Sequence, residues 1–191
     1  MIQRVEGEKF LIGAEKGWER FKESRKMNID PNKRSGFDIN KNILARDIQG
    51  SLAEVAVADF LGVKDFIPTV NNFKVKISNT NKYTKDPDIE PNIEVRSVQY
   101  DSKFPNKKKS LIIRNHEGEN IDNFFKRKFV LAIVHYDNMK EQLAKGFVDV
   151  DIKGWIIGED GMDSKYIFNP NKHERGANPA YFVPINNLIP F

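Results

Sequence analysis

Cysteine is missing from the chain altogether, which excludes disulfides, thiolate zinc sites and cysteine nucleophiles. Histidine is nearly as scarce: His116, His135 and His173 are the whole complement, too far apart to form a local metal motif. A metal ion bound here must therefore rest mainly on carboxylates, which favours hard ions such as magnesium, manganese or calcium. Long apolar runs are also lacking. No stretch reaches the roughly 18 apolar residues that a membrane-spanning helix requires. The first residues, MIQRVEGEKFLIGAEKGWERF, have neither the unbroken apolar segment nor the small-residue cleavage site of a signal peptide. The expectation is a cytoplasmic protein without membrane contact.

What is present suits one domain with a real core. The chain has 191 residues, 39% of them hydrophobic and 30% charged, and its mean hydropathy of -0.57 is that of a soluble protein. A formal net charge of +4 and a pI near 9.1 give a mild positive bias, compatible with a nucleic-acid partner but no proof of one.

Phe10, Leu11, Ala14, Trp18 and Phe21 recur at helical spacing and predict an amphipathic helix over about residues 8–26. Residues 27–37, with Pro31 and Gly36, read as a loop. A second helix is expected from near Asp38 or Asn40, carrying Ile43, Leu44, Ile48, Leu52, Val55, Ala56 and Leu61, with Gly62 as its stop. The pattern then turns to strands. Phe73, Val75 and Ile77 alternate with lysines; Ile93, Val95 and Ser97 alternate with Glu94, Arg96 and Val98; SLIIR (110–114) is short; FVLAIVHY (129–136) is apolar throughout, as in a strand covered on both faces. Residues 146–152, 155–157 and 181–183 are also strand-like, with a short helix expected after Asp160. Helices first and strands after imply an α/β fold, a single domain with a central mixed sheet flanked by helices. Residues 1–37 form an N-terminal helix and loop, and 38–191 form the core with a C-terminal extension.

Glu54 is the chemical oddity. It is the only charged residue between Gly50 and Ala58, within GSLAEVAVADFLG. A carboxylate on the small-residue stretch of a packed helix loses solvation and needs a compensating partner. The plain readings are a helix less buried there, or a pair with a nearby arginine. The second signal is Pro87-Asp88, followed six residues later by Glu94-Val95-Arg96. Side chains two apart on a strand share a face, so Glu94 and Arg96 go together while Ile93 and Val95 face the core. Asp88 can turn towards the same point. Two or three carboxylates hold hard divalent ions, which activate water and neutralise the leaving oxygen of a phosphodiester, while a nearby cation stabilises the transition state. The plain reading is a surface strand with an exposed Glu/Arg pair.

The helix glutamate, Pro-Asp and Glu-X-Arg, in that chain order, resemble the PD-(D/E)XK superfamily, the restriction-endonuclease-like nucleases. SLIIR, FVLAIVHY, GWIIGEDGMD and NPAYFVPINNLIP extend the likeness to uncharacterised phage-encoded members, over about residues 45–191. The resemblance implies a restriction-endonuclease-like core and a magnesium- or manganese-dependent nuclease acting on DNA, in the host cytoplasm if the chain is phage-encoded. It implies Glu54, Asp88 and Glu94 as metal ligands, joined by the Val95 carbonyl. Arg96 stands where the family has lysine. Arginine is always charged, so Arg96 would orient phosphate and stabilise charge rather than act as a general base. Gln99 is a candidate for orienting water or phosphate.

Lys103, Lys107, Lys108, Lys109 and Arg114 follow closely and are candidates for phosphate contacts; a solvated lysine-rich turn at a sheet edge is the plain alternative. Lys126, Arg127 and Lys128 read as a solubilising flank, His135 as a satisfied core histidine and Trp155 as core. Phe104, His173 and Arg175 carry weaker claims to nucleic acid. Three functions remain open: a nuclease, a catalytically inactive nuclease-fold protein binding nucleic acid or a host protein, and an assembly component. A homodimer would suit an enzyme that cuts both strands.

Overall fold

The structure is a computed structural model, and it describes residues 1–26, 43–70, 75–76, 83–84, 87–100, 102, 109–114, 121–167 and 180–191. In chain order the elements are β1 (Ile2–Glu6), α1 (Gly7–Lys26), α2 (Ile43–Phe60), β2 (Val75–Lys76), β3 (Tyr83–Thr84), β4 (Ile93–Gln99) and β5 (Ser110–Ile113). They continue with α3 (Ile121–Phe125), β6 (Lys128–His135), α4 (Met139–Lys145), β7 (Phe147–Ile157), α5 (Gly158–Gly161) and β8 (Tyr181–Pro184). The central sheet has the order β1-β7-β6-β4. β1 and β6 run antiparallel to β7, while β4 runs parallel to β6, so the sheet is mixed and β4 is an edge. β2 pairs with β3, and β5 with β8, as separate two-stranded ribbons.

Two apolar clusters lie on the two faces of the sheet. On one face Val95, Val130, Ala132 and Val134 pack under Leu52, Val55 and Ala56 of α2. On the other, Phe129 and Leu131 pack against Leu111 and Ile113 of β5, Val183 of β8 and Phe124 of α3. β6 is thus covered on both sides, as its unbroken apolar run predicts, and each fully buried large side chain contributes about 1.5–3 kcal/mol. The result is one small mixed α/β domain, and among the described residues no helix is long and apolar enough to cross a membrane.

The N-terminal segment belongs to this core. β1 pairs along β7, from Ile2 opposite Asp151 to Glu6 opposite Phe147. Its five residues, IQRVE, include two charges, and only Val5 is buried, which is how an edge strand escapes an alternation search. The buried face of α1 also differs from the predicted stripe. Leu11 is 66% and Trp18 45% exposed, whereas Phe10, Gly13, Gly17 and Arg20 face inward. The small residues decide this: a Cβ on Gly17 would lie 2.4 Å from Ile48 Cα, so α1 crosses α2 almost backbone to backbone.

α2 ends as predicted. Gly62 takes φ 74°, and Val63 N–H donates to Ala58 O at 2.9 Å, closing the helix in the left-handed cap that glycine favours. The predicted start of that helix, and most of the 73–77 strand, lie outside the described residues. The two segments predicted at 146–152 and 155–157 are one strand, β7. A register shift opposite Leu131 and Ala132 leaves Lys153 as an extra residue, and Gly154 bends at φ 140° against Ile189 O. α4 was not predicted, although its signals stand in the sequence: Asn138 accepts from Lys140 N–H at 2.9 Å, and Gly146 ends the helix in the left-handed region.

Candidate functional site

Glu54 sits midway along α2 with 3% of its surface exposed. Arg20 of α1 meets it with both terminal nitrogens: Nη1 donates to Oε1 at 2.8 Å and Nη2 to Oε2 at 2.6 Å. The remaining donor, Nε, reaches Thr69 O at 2.7 Å. This is the two-pronged fork that a guanidinium offers a carboxylate. The plain reading of Glu54, a pair with a nearby arginine, is therefore realised, and the structure names the arginine. No sequence motif marks Arg20. Its signal was its place on the Phe10–Gly13–Gly17 stripe of α1, where a charge is as anomalous as Glu54 is on α2.

Burial pushes the Glu54 carboxyl up, to about 8, and the charge of Asp88 adds to the lift. Arg20 pulls it down through hydrogen bonds and charge, while Glu94 contributes a further upward push. Proton and guanidinium thus compete for one carboxylate. The three acids named from the sequence, far apart along the chain, lie near enough to feel one another.

The edge of β4 explains how they come together. Ile89 and Ile93 exchange backbone hydrogen bonds of 3.0 and 2.9 Å, folding residues 87–92 back along the outer side of the strand. Asp88 then accepts from Val95 N–H at 2.8 Å, so its carboxylate lies in the plane of the sheet, against an edge that no strand covers among the described residues. The Val95 carbonyl points to the same outer side, because a residue exchanging both its groups directs them one way. Glu94 projects differently. Its partner across the ladder is Phe129, so Glu94 and Arg96 point into the face opposite α2. Ile93 and Val95 face the helix instead. The acids therefore straddle the edge of β4: Glu54 from the helical face, Asp88 in the plane, Glu94 from the far face.

Glu94 is completely buried, at 0% exposure, which replaces the plain reading of an exposed surface pair. The far face is closed by β5, β8 and α3, a contact between segments distant in sequence. Arg96 Nη2 stands 3.2 Å from Glu94 Oε1, and Arg127 Nη1 3.8 Å from Oε2. Arg96 also lies over the Phe129 ring, 5.7 Å from its centre. Arg127 is buried just before β6, so it is a partner of Glu94 rather than part of a solubilising flank. Lys128 has its Nζ over the Trp155 ring at 4.8 Å.

The other candidates are scattered. Gln99 lies at the opposite end of β4 from Glu94, five residues or about 16 Å of strand away, and donates to Tyr136 O at 2.9 Å. Lys109 Nζ donates to Gln99 O at 3.1 Å, at that same far end. Arg114 follows β5, and Lys103, Lys107, Lys108, Phe104, His173 and Arg175 lie outside the described residues. His135 stacks on Tyr100 at 4.6 Å, and its Nε2 is buried without a hydrogen bond, so it is not the satisfied histidine expected. Gln49 of α2 donates to Ser97 Oγ at 3.0 Å and accepts from Tyr136 at 2.7 Å, tying the helix to β4 behind the acids.

The donor chemistry, three carboxylates and a backbone carbonyl, is what a hard divalent ion prefers. The arrangement is not yet a metal site. Among the described residues no group of three or more histidine, aspartate or glutamate side chains is placed to hold an ion. Both oxygens of Glu54 belong to Arg20, one of Asp88 to a backbone N–H, and those of Glu94 face two guanidiniums. Comparison with protein-family models, with curated proteins and with solved structures finds no match.

Proposed function

We propose that this protein is a nuclease of the restriction-endonuclease-like kind, hydrolysing phosphodiester bonds of DNA with magnesium or manganese as its cofactor. One observation carries the reading: Glu54, Asp88 and Glu94, distant along the chain, are all buried and couple electrostatically beside β4. Buried acids gathered at an edge are costly to a fold that gains nothing else from them. Arg96 is the group suited to a phosphate. It is part-exposed, stands beside Glu94 and the Phe129 ring, and its planar fork fits two phosphate oxygens. A homodimer would serve double-strand cutting.

The side chains as placed do not fit an ion, so no chemical step is assigned to one. The test is to incubate the purified chain with plasmid and linear DNA in magnesium or manganese. Cleavage that disappears in Asp88→Ala and in Glu94→Ala is expected. No cleavage by the wild type, or undiminished cleavage by both variants, rejects the nuclease.

A second reading is favoured by the arginines themselves. With every acid already engaged, the same fold can serve as an inactive nuclease relative that binds nucleic acid or a host protein. DNA affinity that survives chelator and both alanine changes, without cleavage, would select it.

A further inference from the structure

Arg20 does more than satisfy one glutamate. Its guanidinium is buried, two of its nitrogens cover both Glu54 oxygens, and its third is anchored on Thr69 O. The charges of Asp88 and of Asp47, the latter seven residues before Glu54 on α2, also act on it. It is a fixed cation at the helical side of the acid cluster. The helix that carries it cannot drift: at Gly13 a Cβ would stand 2.9 Å from Leu52, and at Gly17 the backbones already touch. Arg20 is thus delivered to Glu54 by a tight helix crossing, not by a loop.

We propose that Arg20 is a built-in counter-cation that keeps this cluster closed to divalent metal: the guanidinium and a metal ion are alternative occupants of Glu54. The proposal rests on the cluster being a metal site at all, which is the reading given above. While the fork is in place, both Glu54 oxygens accept a guanidinium N–H, and the fixed positive charge beside them opposes an ion shared with Asp88. Once it is gone, Glu54 and Asp88 are buried acids without that cation, a place where a hard divalent ion gains most. Closure by an arginine that the protein itself supplies explains why the donor set is right and the arrangement is not.

The test titrates Mn²⁺ calorimetrically into the purified full chain and into Arg20→Gln, with thermal melts in manganese and in chelator. The wild type should show only weak binding, and Arg20→Gln should bind at least about tenfold tighter. Without metal Arg20→Gln should melt below the wild type, and manganese should restore part of the loss. Adding Glu54→Gln to it should abolish both effects. Should Arg20→Gln fail to fold, Arg20→Lys decides, because a lysine keeps the charge but loses the fork, and its manganese affinity should also exceed that of the wild type. Equal affinity of wild type and folded variants overturns the proposal. DNA cleavage separates the two readings. A manganese site in Arg20→Gln without cleavage leaves the counter-cation standing and removes the nuclease. Cleavage by a wild type that already binds manganese tightly does the reverse.

Discussion

Two glutamates meet arginines on opposite faces of one strand edge, and the two meetings are built differently. Glu54 and Arg20 form a short double fork, with side chains 5% and 9% exposed, carried by two helices whose crossing leaves no slack. Glu94 has a single 3.2 Å contact to Arg96, whose side chain is 30% exposed, and a looser 3.8 Å approach from Arg127. The first pair is locked from within. The second opens towards solvent on one side, where a ligand phosphate can compete for the guanidinium. Burial, not the identity of the partners, separates a structural ion pair from one free to exchange.

Breaking the locked pair should have the largest effect. Glu54→Ala leaves the buried Arg20 guanidinium without the two oxygens it donates to and should cost about 3–5 kcal/mol in urea unfolding. Arg127→Ala, which removes a buried cation facing Glu94, should cost less, about 1–3 kcal/mol. Arg96→Ala should cost under about 1 kcal/mol while lowering DNA affinity and its salt dependence. An Arg96→Ala loss as large as that of Glu54→Ala would erase the contrast between the faces.

The pH dependence sharpens the comparison further. A carboxyl whose folded value is raised from 4.5 to about 8 binds its proton more tightly in the native state. Its contribution to stability is therefore complete below about pH 4.5 and declines as pH rises towards 8. Wild-type stability should fall across that window more steeply than that of Glu54→Gln, which has no such proton to lose. Parallel curves from urea melts at a series of pH values would count against the assignment.

The acids were legible because each broke a local pattern: a charge in a small-residue helix, a Pro-Asp before a strand, a glutamate alternating with valine. Their partners were not, because Arg20 and Arg127 are ordinary residues until the fold brings them to Glu54 and Glu94. Arg20 left one overlooked trace, its place on the glycine face of α1. That face was hidden by Leu11 and Trp18, large apolar residues that lie outside the helix contact. The burial of Glu94 was equally beyond local reading, since β4 alternates like a half-exposed strand and its second cover comes from β5 and β8, far along the chain. The central strand, the mixed sheet and the Gly62 stop followed from periodicity and turn chemistry, which are local properties.

The account depends on three carboxylates acting as one electrostatic unit across the edge of β4, and Asp88 is its hinge. Asp88→Asn keeps an oxygen for Val95 N–H but deletes the charge that, among the neighbouring acids, lifts Glu54 most. Urea stability measured from pH 4.5 to 8 should then fall less in this variant than in the wild type. An unchanged slope would mean that Asp88 and Glu54 do not share a site.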